Sequence, residues 1–239
     1  MNRFSNKVCL VTGGTQGIGL GIALRFAEEG ATAVVICSRK EANVSAAVKE
    51  IQAKAPKCQV DGIVCNVGVA ADRVKMIAHI KDKYGKLDVL VPNAAVSSHF
   101  GNQMDITERA YDKLWDLNVK STFFLIAECM DLLKEAGPGR NIMVVSSVTG
   151  TNPNWTIGVY AMTKAALDNM VRWLAQELMA DDIRVTGIAP GLIKTEFSGA
   201  LWKENDGVDP KAMGTPAQIA GLAATMCSED GAFINGETY

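Results

Sequence analysis

Lys7-Val8-Cys9-Leu10-Val11-Thr12-Gly13-Gly14-Thr15-Gln16-Gly17-Ile18-Gly19 is an apolar, β-branched run that breaks into glycines and then turns helical. Residues 7–12 read as a buried strand. The glycines let the backbone turn tightly and approach an anionic ligand. The helix that follows offers unpaired N–H groups and the positive end of its dipole. The spacing departs from G-x-G-x-x-G, so the turn alone is weak evidence. Its place in the first strand-to-helix crossover is where doubly wound folds bind nucleotides.

The same alternation continues outward. Residues 32–37, 59–64, 89–92, 141–146 and 184–188 read as further buried strands. Between them 18–29, 43–53, 71–84, 108–133 and 160–179 carry helical periodicity, and a last helix over 216–227 begins on Pro216. Strand–helix alternation implies a parallel sheet with helices on both faces, and right-handed crossovers leave few topologies. The expectation is an α/β, single-domain Rossmann fold over 1–239, a doubly wound sheet of about seven strands in the order 3-2-1-4-5-6-7. The stretch 195–215 is polar yet carries Phe197, Leu201 and Trp202, which suggests a lid over a pocket.

Composition narrows the function. A net charge of −2 provides no basic field for nucleic acid. No apolar stretch reaches the roughly 18 residues of a membrane span. The six cysteines are scattered without a C-x-x-C pair, as in a reducing compartment. The two histidines, His79 and His99, stand at no metal-ligand spacing, so no metal is expected. Glu237-Thr238-Tyr239 is not a peroxisomal targeting tripeptide, and the chain stops where another strand begins. The expected location is cytoplasmic, or peroxisomal if the natural end carries such a tripeptide.

The second strand ends Val34-Val35-Ile36-Cys37-Ser38-Arg39-Lys40. An NAD site places a carboxylate near here for the ribose hydroxyls. This chain offers Ser38, Arg39 and Lys40, and arginine binds a phosphate through paired hydrogen bonds. NADP(H) is therefore expected over NAD(H).

Tyr160-Ala161-Met162-Thr163-Lys164 places a phenol and an ammonium one helical turn apart on one face. A phenol loses its proton near pH 10, and bringing that to neutrality needs about 4 kcal/mol, which a neighbouring cation helps to supply. Y-x-x-x-K alone is common by chance. In combination, Gly13/Gly17/Gly19, Asn93-Ala94-Ala95, Asn118, Ser146-Ser147 and Tyr160/Lys164 resemble the short-chain dehydrogenase/reductase family in order and spacing over essentially the whole chain.

The resemblance implies a catalytic tetrad. The family's serine stands thirteen positions before the tyrosine, which selects Ser147 over Ser146. Tyr160 would be general acid in reduction and base in oxidation, and Ser147 would hydrogen-bond the substrate oxygen. Lys164 would lower the tyrosine pKa and bind the nicotinamide ribose, and Asn118 would hold a water that relays protons. Beside the cofactor the resemblance implies Gly13, Gln16, Gly17, Ile18 and Gly19 at the pyrophosphate and Asn93 and Ala94 near the adenosine ribose. Pro190, Gly191, Ile193 and Thr195 would stand at the carboxamide. Asn66-Val67 replaces the usual Asp-Val at the adenine, and an amide still supplies an acceptor.

Several segments are most similar to the NADP-dependent carbonyl and retinal reductases of the family's animal peroxisomal branch. That implies aromatic ketones, α-dicarbonyls or retinoids as substrates, and a homotetramer built by pairing long helices. Trp155, Leu192, Phe197 and Trp202 are the candidate substrate residues; His99 and Phe100 follow the fourth strand near the pocket mouth. A 3-oxoacyl-thioester reductase would share every motif. A non-catalytic NADP-binding sensor would be expected to have lost the tyrosine or the lysine.

Overall fold

The computed structural model describes residues 2–202 and 213–239. Six parallel strands, β1 (Val8–Thr12), β2 (Ala33–Ser38), β3 (Gln59–Val64), β4 (Val89–Val91), β5 (Arg140–Val145) and β6 (Ile183–Ile188), lie in the order β3-β2-β1-β4-β5-β6. The four inner strands are almost wholly buried, as strands covered on both faces must be. Edge strand β3 alternates instead. The strand order reverses between β1 and β4, opening a crevice at their carboxyl ends.

Helices cover both faces. On one side α1 (Gly17–Glu28), α2 (Glu41–Lys54) and α8 (Pro216–Met226) bury Ile22, Phe26, Ile51 and Ala223 against the sheet. On the other, α3 (Ala70–Tyr84), α5 (Ser121–Lys134) and α6 (Gly158–Glu177) bury Met76, Leu125, Leu167 and Val171. Thr215 and Gln218 form a reciprocal cap at the start of α8, with Pro216 in its first turn. Among the described residues no helix is long and apolar enough to cross a membrane.

Two elements differ from the sequence expectation. The single helix expected over 108–133 is α4 (Glu108–Trp115), a π-helical turn over Asp116–Lys120, then α5. The apolar period runs through both helices, so the wider turn leaves no mark in it. The expected seventh strand is a fragment: Gly187 and Ala189 donate to the carbonyls of Glu237 and Tyr239, but only Thr238 pairs with β6, at Gly187. The described sheet therefore has six strands. Of the expected lid, Gly199–Trp202 form a short α7, whereas residues 203–212 lie outside the described residues.

Candidate active site

The crevice opens into a cleft of about 920 Å³ that runs from Ser38 and Arg39 past the glycine turn to Ser147, Tyr160 and Lys164. Its floor is built by the turn between β1 and α1. Gly13 (φ +62°) and Gly17 (φ +56°) adopt left-handed backbone that side chains rarely tolerate. Gly19 is required by space: a Cβ there would stand 2.4 Å from the Gly13 carbonyl oxygen and 2.5 Å from Asn93 Nδ2. Gln16 precedes α1 without capping it, so the first-turn N–H groups face the cleft unclaimed by that side chain. This glycine cradle at a helix N-terminus suits a pyrophosphate, and half-buried Ser38 and exposed Arg39 stand beyond it, where a ribose 2′-phosphate would lie.

Asn93 ties this floor to the catalytic end. Its Nδ2 donates to the Thr12 carbonyl at 2.8 Å, and its own N–H donates to Thr12 Oγ1 at 3.0 Å. Three residues on, Val96 exchanges two hydrogen bonds with the Asn118 amide, at 2.8 and 3.0 Å. The second Asn118 amide hydrogen goes to Thr163 Oγ1 at 3.1 Å, and Thr163 donates to the Tyr160 carbonyl at 2.7 Å. The π-helical turn delivers Asn118 to this position, one percent exposed.

On the first turn of α6 Tyr160 is buried, its phenol beside Ser147 in the wall of the cleft. Ser147 Oγ accepts from Thr149 N–H at 3.2 Å and from Thr149 Oγ1–H at 2.9 Å. One turn along, the wholly buried Lys164 donates to the Val145 carbonyl at 2.9 Å and lies 5.4 Å from the Tyr160 ring centre. Burial pulls the Lys164 ammonium down to about 8, with nearby Asp168 opposing. Burial pushes the Tyr160 phenol above its ordinary value, and Ser147 pulls the other way. Sequence reasoning expected Lys164 to lower the phenol. In this structure burial raises the phenol, and the Lys164 hydrogen bond goes to the Val145 carbonyl.

Residues 7–206 match the family model for short chain dehydrogenases. The chain is 42% identical over 241 residues to dehydrogenase/reductase SDR family member 4 of Oryctolagus cuniculus, covering 98% of this chain and 91% of that protein. The chain belongs to the short-chain dehydrogenase family.

Solved members of the short-chain dehydrogenase family share the architecture. L-sorbose reductase from Gluconobacter frateurii, complexed with NADPH and L-sorbose, superposes with a TM-score of 0.91 at 28% identity over 100% of this chain and 96% of its own. A 3-ketoacyl-(acyl-carrier-protein) reductase from Brucella melitensis, complexed with NADH, gives 0.88 at 27% over 98% and 96%.

Most candidate residues of this short-chain dehydrogenase line the one cleft. Gly13, Gln16, Gly17, Ile18 and Gly19 lie at its floor, and Ser38, Arg39, Asn66, Val67, Asn93 and Ala94 flank one end. Pro190, Gly191, Ile193 and Thr195 flank the other end with the candidate substrate residues Trp155, Leu192 and Phe197. Three candidates stand elsewhere. Lys40 is exposed at the start of α2 and does not line the cleft. Trp202 turns its indole N–H to Ser198 Oγ at 3.1 Å. Asn118 lies behind the wall, its two amide hydrogens going to the Val96 carbonyl and to Thr163 Oγ1. Phe100 lines the mouth, while His99 pairs with the Asn102 carbonyl. Sequence reasoning missed Thr149, on a single 3₁₀ turn, and Ser97, on an irregular loop, where no periodicity betrays them. Among the described residues no group of three His, Cys, Asp or Glu side chains is placed to hold a metal.

Proposed function

We propose that this enzyme is an NADPH-dependent reductase converting a ketone or aldehyde to an alcohol, reversibly. The carrying observation is the buried Tyr160 phenol beside Ser147 and Lys164, at the end of a cleft that reaches Arg39. NADPH, when bound, supplies the hydride to the carbonyl carbon. Gly13, Gly17 and the first turn of α1 would cradle its pyrophosphate, and Arg39 with Ser38 its 2′-phosphate. Lys164 would hold the nicotinamide ribose.

Ser147 donates its hydrogen to the substrate oxygen and so favours the charge that develops there. Tyr160 gives that oxygen its proton. The resulting phenolate is stabilised by the Lys164 cation, buried beside it where solvent screens least. Asn118 acts as a frame member, holding Val96 and α6 in register.

The mouth supports an apolar carbonyl substrate. Phe100, Trp155, Leu192 and Phe197 face it, and Glu196 is the one charged side chain among the described residues there. A 3-oxoacyl-thioester reductase, to which the Brucella protein gives fold-level support, would use the same tetrad. It would need cations near the mouth to draw an acidic carrier, and the cations of the described lining, Arg39 and the buried Lys164, stand away from it. The lid over 195–215 is part of the proposal. So is a homotetramer, for which Phe123, Phe124 and Trp173 form an exposed aromatic cluster on α5 and α6. Six buried free thiols are in keeping with a cytoplasmic or peroxisomal setting.

NADPH consumption by wild type and Tyr160→Phe, against a panel of aromatic ketones, α-dicarbonyls and acyl-thioesters, tests the reading. Wild-type turnover that Tyr160→Phe lowers by about 10³-fold or more, with NADPH binding retained, supports it. A wild type that binds NADPH and turns over nothing is a sensor. Preference for acyl-thioesters makes the second reading correct.

A further inference from the structure

A serine hydroxyl has one hydrogen and two lone pairs. In this site both lone pairs are filled by one residue: Thr149 N–H donates to Ser147 Oγ at 3.2 Å and Thr149 Oγ1–H donates at 2.9 Å. The Ser147 hydrogen is then the group's only remaining bonding capacity, and it can point only outward, at the Tyr160 oxygen or at a substrate oxygen.

We infer that Thr149 is a positioning residue that fixes the direction of the hydrogen bonds in the Ser147–Tyr160 pair. Without the Thr149 hydroxyl, the Ser147 hydroxyl is free to rotate and turn a lone pair toward the phenol. Tyr160 can then spend its proton on Ser147, a dead-end arrangement in which neither hydroxyl serves the carbonyl. With Thr149 in place that exchange is closed. Ser147 acts only as a donor, and the Tyr160 proton is left for the substrate. The backbone N–H of Thr149 remains whatever its side chain, so the hydroxyl is the part a substitution can remove. Thr149 stands on the 3₁₀ turn over Val148–Gly150, and Ser147 is the residue that caps it.

This inference rests on the carbonyl-reductase reading, since it orients groups for that proton transfer. The test compares wild type, Thr149→Val, Thr149→Ala and Thr149→Ser in NADPH-driven ketone reduction, with NADPH affinity from cofactor fluorescence and thermal unfolding as independent readouts. Valine keeps the branched shape and removes the hydroxyl, alanine removes bulk as well, and serine restores the hydroxyl. The expected result is a kcat about tenfold lower in Thr149→Val and Thr149→Ala, with KM and NADPH affinity within about twofold of wild type. Thr149→Ser recovers to within about twofold of wild-type kcat.

Wild-type kcat in either hydroxyl-free variant overturns the inference. So does a loss confined to KM, which would make Thr149 a mere substrate-contacting wall, or a Thr149→Ser as slow as Thr149→Val. Loss of NADPH affinity or of folded protein in all three variants also overturns it, because the residue would then be holding the loop. A wild type without carbonyl turnover removes the reductase reading itself, whereas failure of the Thr149 variants to differ from an active wild type removes only this inference.

Discussion

The Lys164 ammonium lies 5.4 Å from the centre of the Tyr160 ring, with its hydrogen bond going to the Val145 carbonyl. It therefore acts on the phenol through space, and only while it carries its charge. Burial pulls it down to about 8, so the cation is present below that pH and lost above it. Carbonyl reduction, which needs both the charged lysine and the protonated phenol, should be level below about pH 8 and fall roughly tenfold per pH unit beyond it. A pH profile of kcat checks this. A rate that stays level to pH 10 would show that the lysine charge is not needed.

Cofactor choice should rest on Arg39, an exposed guanidinium at the far end of the cleft from Tyr160. Arg39→Ala should raise KM for NADPH roughly 10- to 100-fold and change that for NADH by about twofold at most. Steady-state kinetics with both cofactors measures the ratio. If discrimination survives, the 2′-phosphate is held elsewhere.

Gly19 faces the Gly13 carbonyl and the Asn93 amide with no room for a methyl group. Gly19→Ala should cost about 1–3 kcal/mol of stability through overpacking and displace the turn enough to abolish NADPH binding. Calorimetry and cofactor titration report the two effects separately. A stable Gly19→Ala protein that binds NADPH normally would mean the turn shifts freely.

Phe123 and Trp173 lie 6.4 Å apart, ring centre to ring centre, on the outer face of α5 and α6. If that face joins subunits, Phe123→Glu with Trp173→Glu should lower the sedimenting mass below the tetramer while leaving each chain folded by circular dichroism. A wild type that sediments as a monomer sinks the assembly.

The strands were legible because buried parallel strands demand apolar runs rich in β-branched residues, and residues 8–12 and 33–37 show them plainly. The glycine turn was legible for the same kind of reason, since its backbone and spacing tolerate nothing larger. What the sequence hid depends on contacts between distant segments. The π-helical turn around Asn118 leaves the apolar period of its neighbours intact. The Lys164 bond to Val145 is a register of α6 against β5 that no local pattern encodes. Trp202 has the composition of a pocket residue, yet Ser198 one turn earlier takes its N–H.

The hydrogen bonds from Thr12 through Asn93, and from Val96 through Asn118 and Thr163 to the Tyr160 carbonyl, run inside the body of the molecule. Phe100 and Trp155, by contrast, stand exposed at the mouth of the cleft. Inherited variation at those aromatic positions can change which molecules are admitted without disturbing the alignment of the reacting atoms. Relatives of this chain are then free to diverge in diet while sharing one chemical engine.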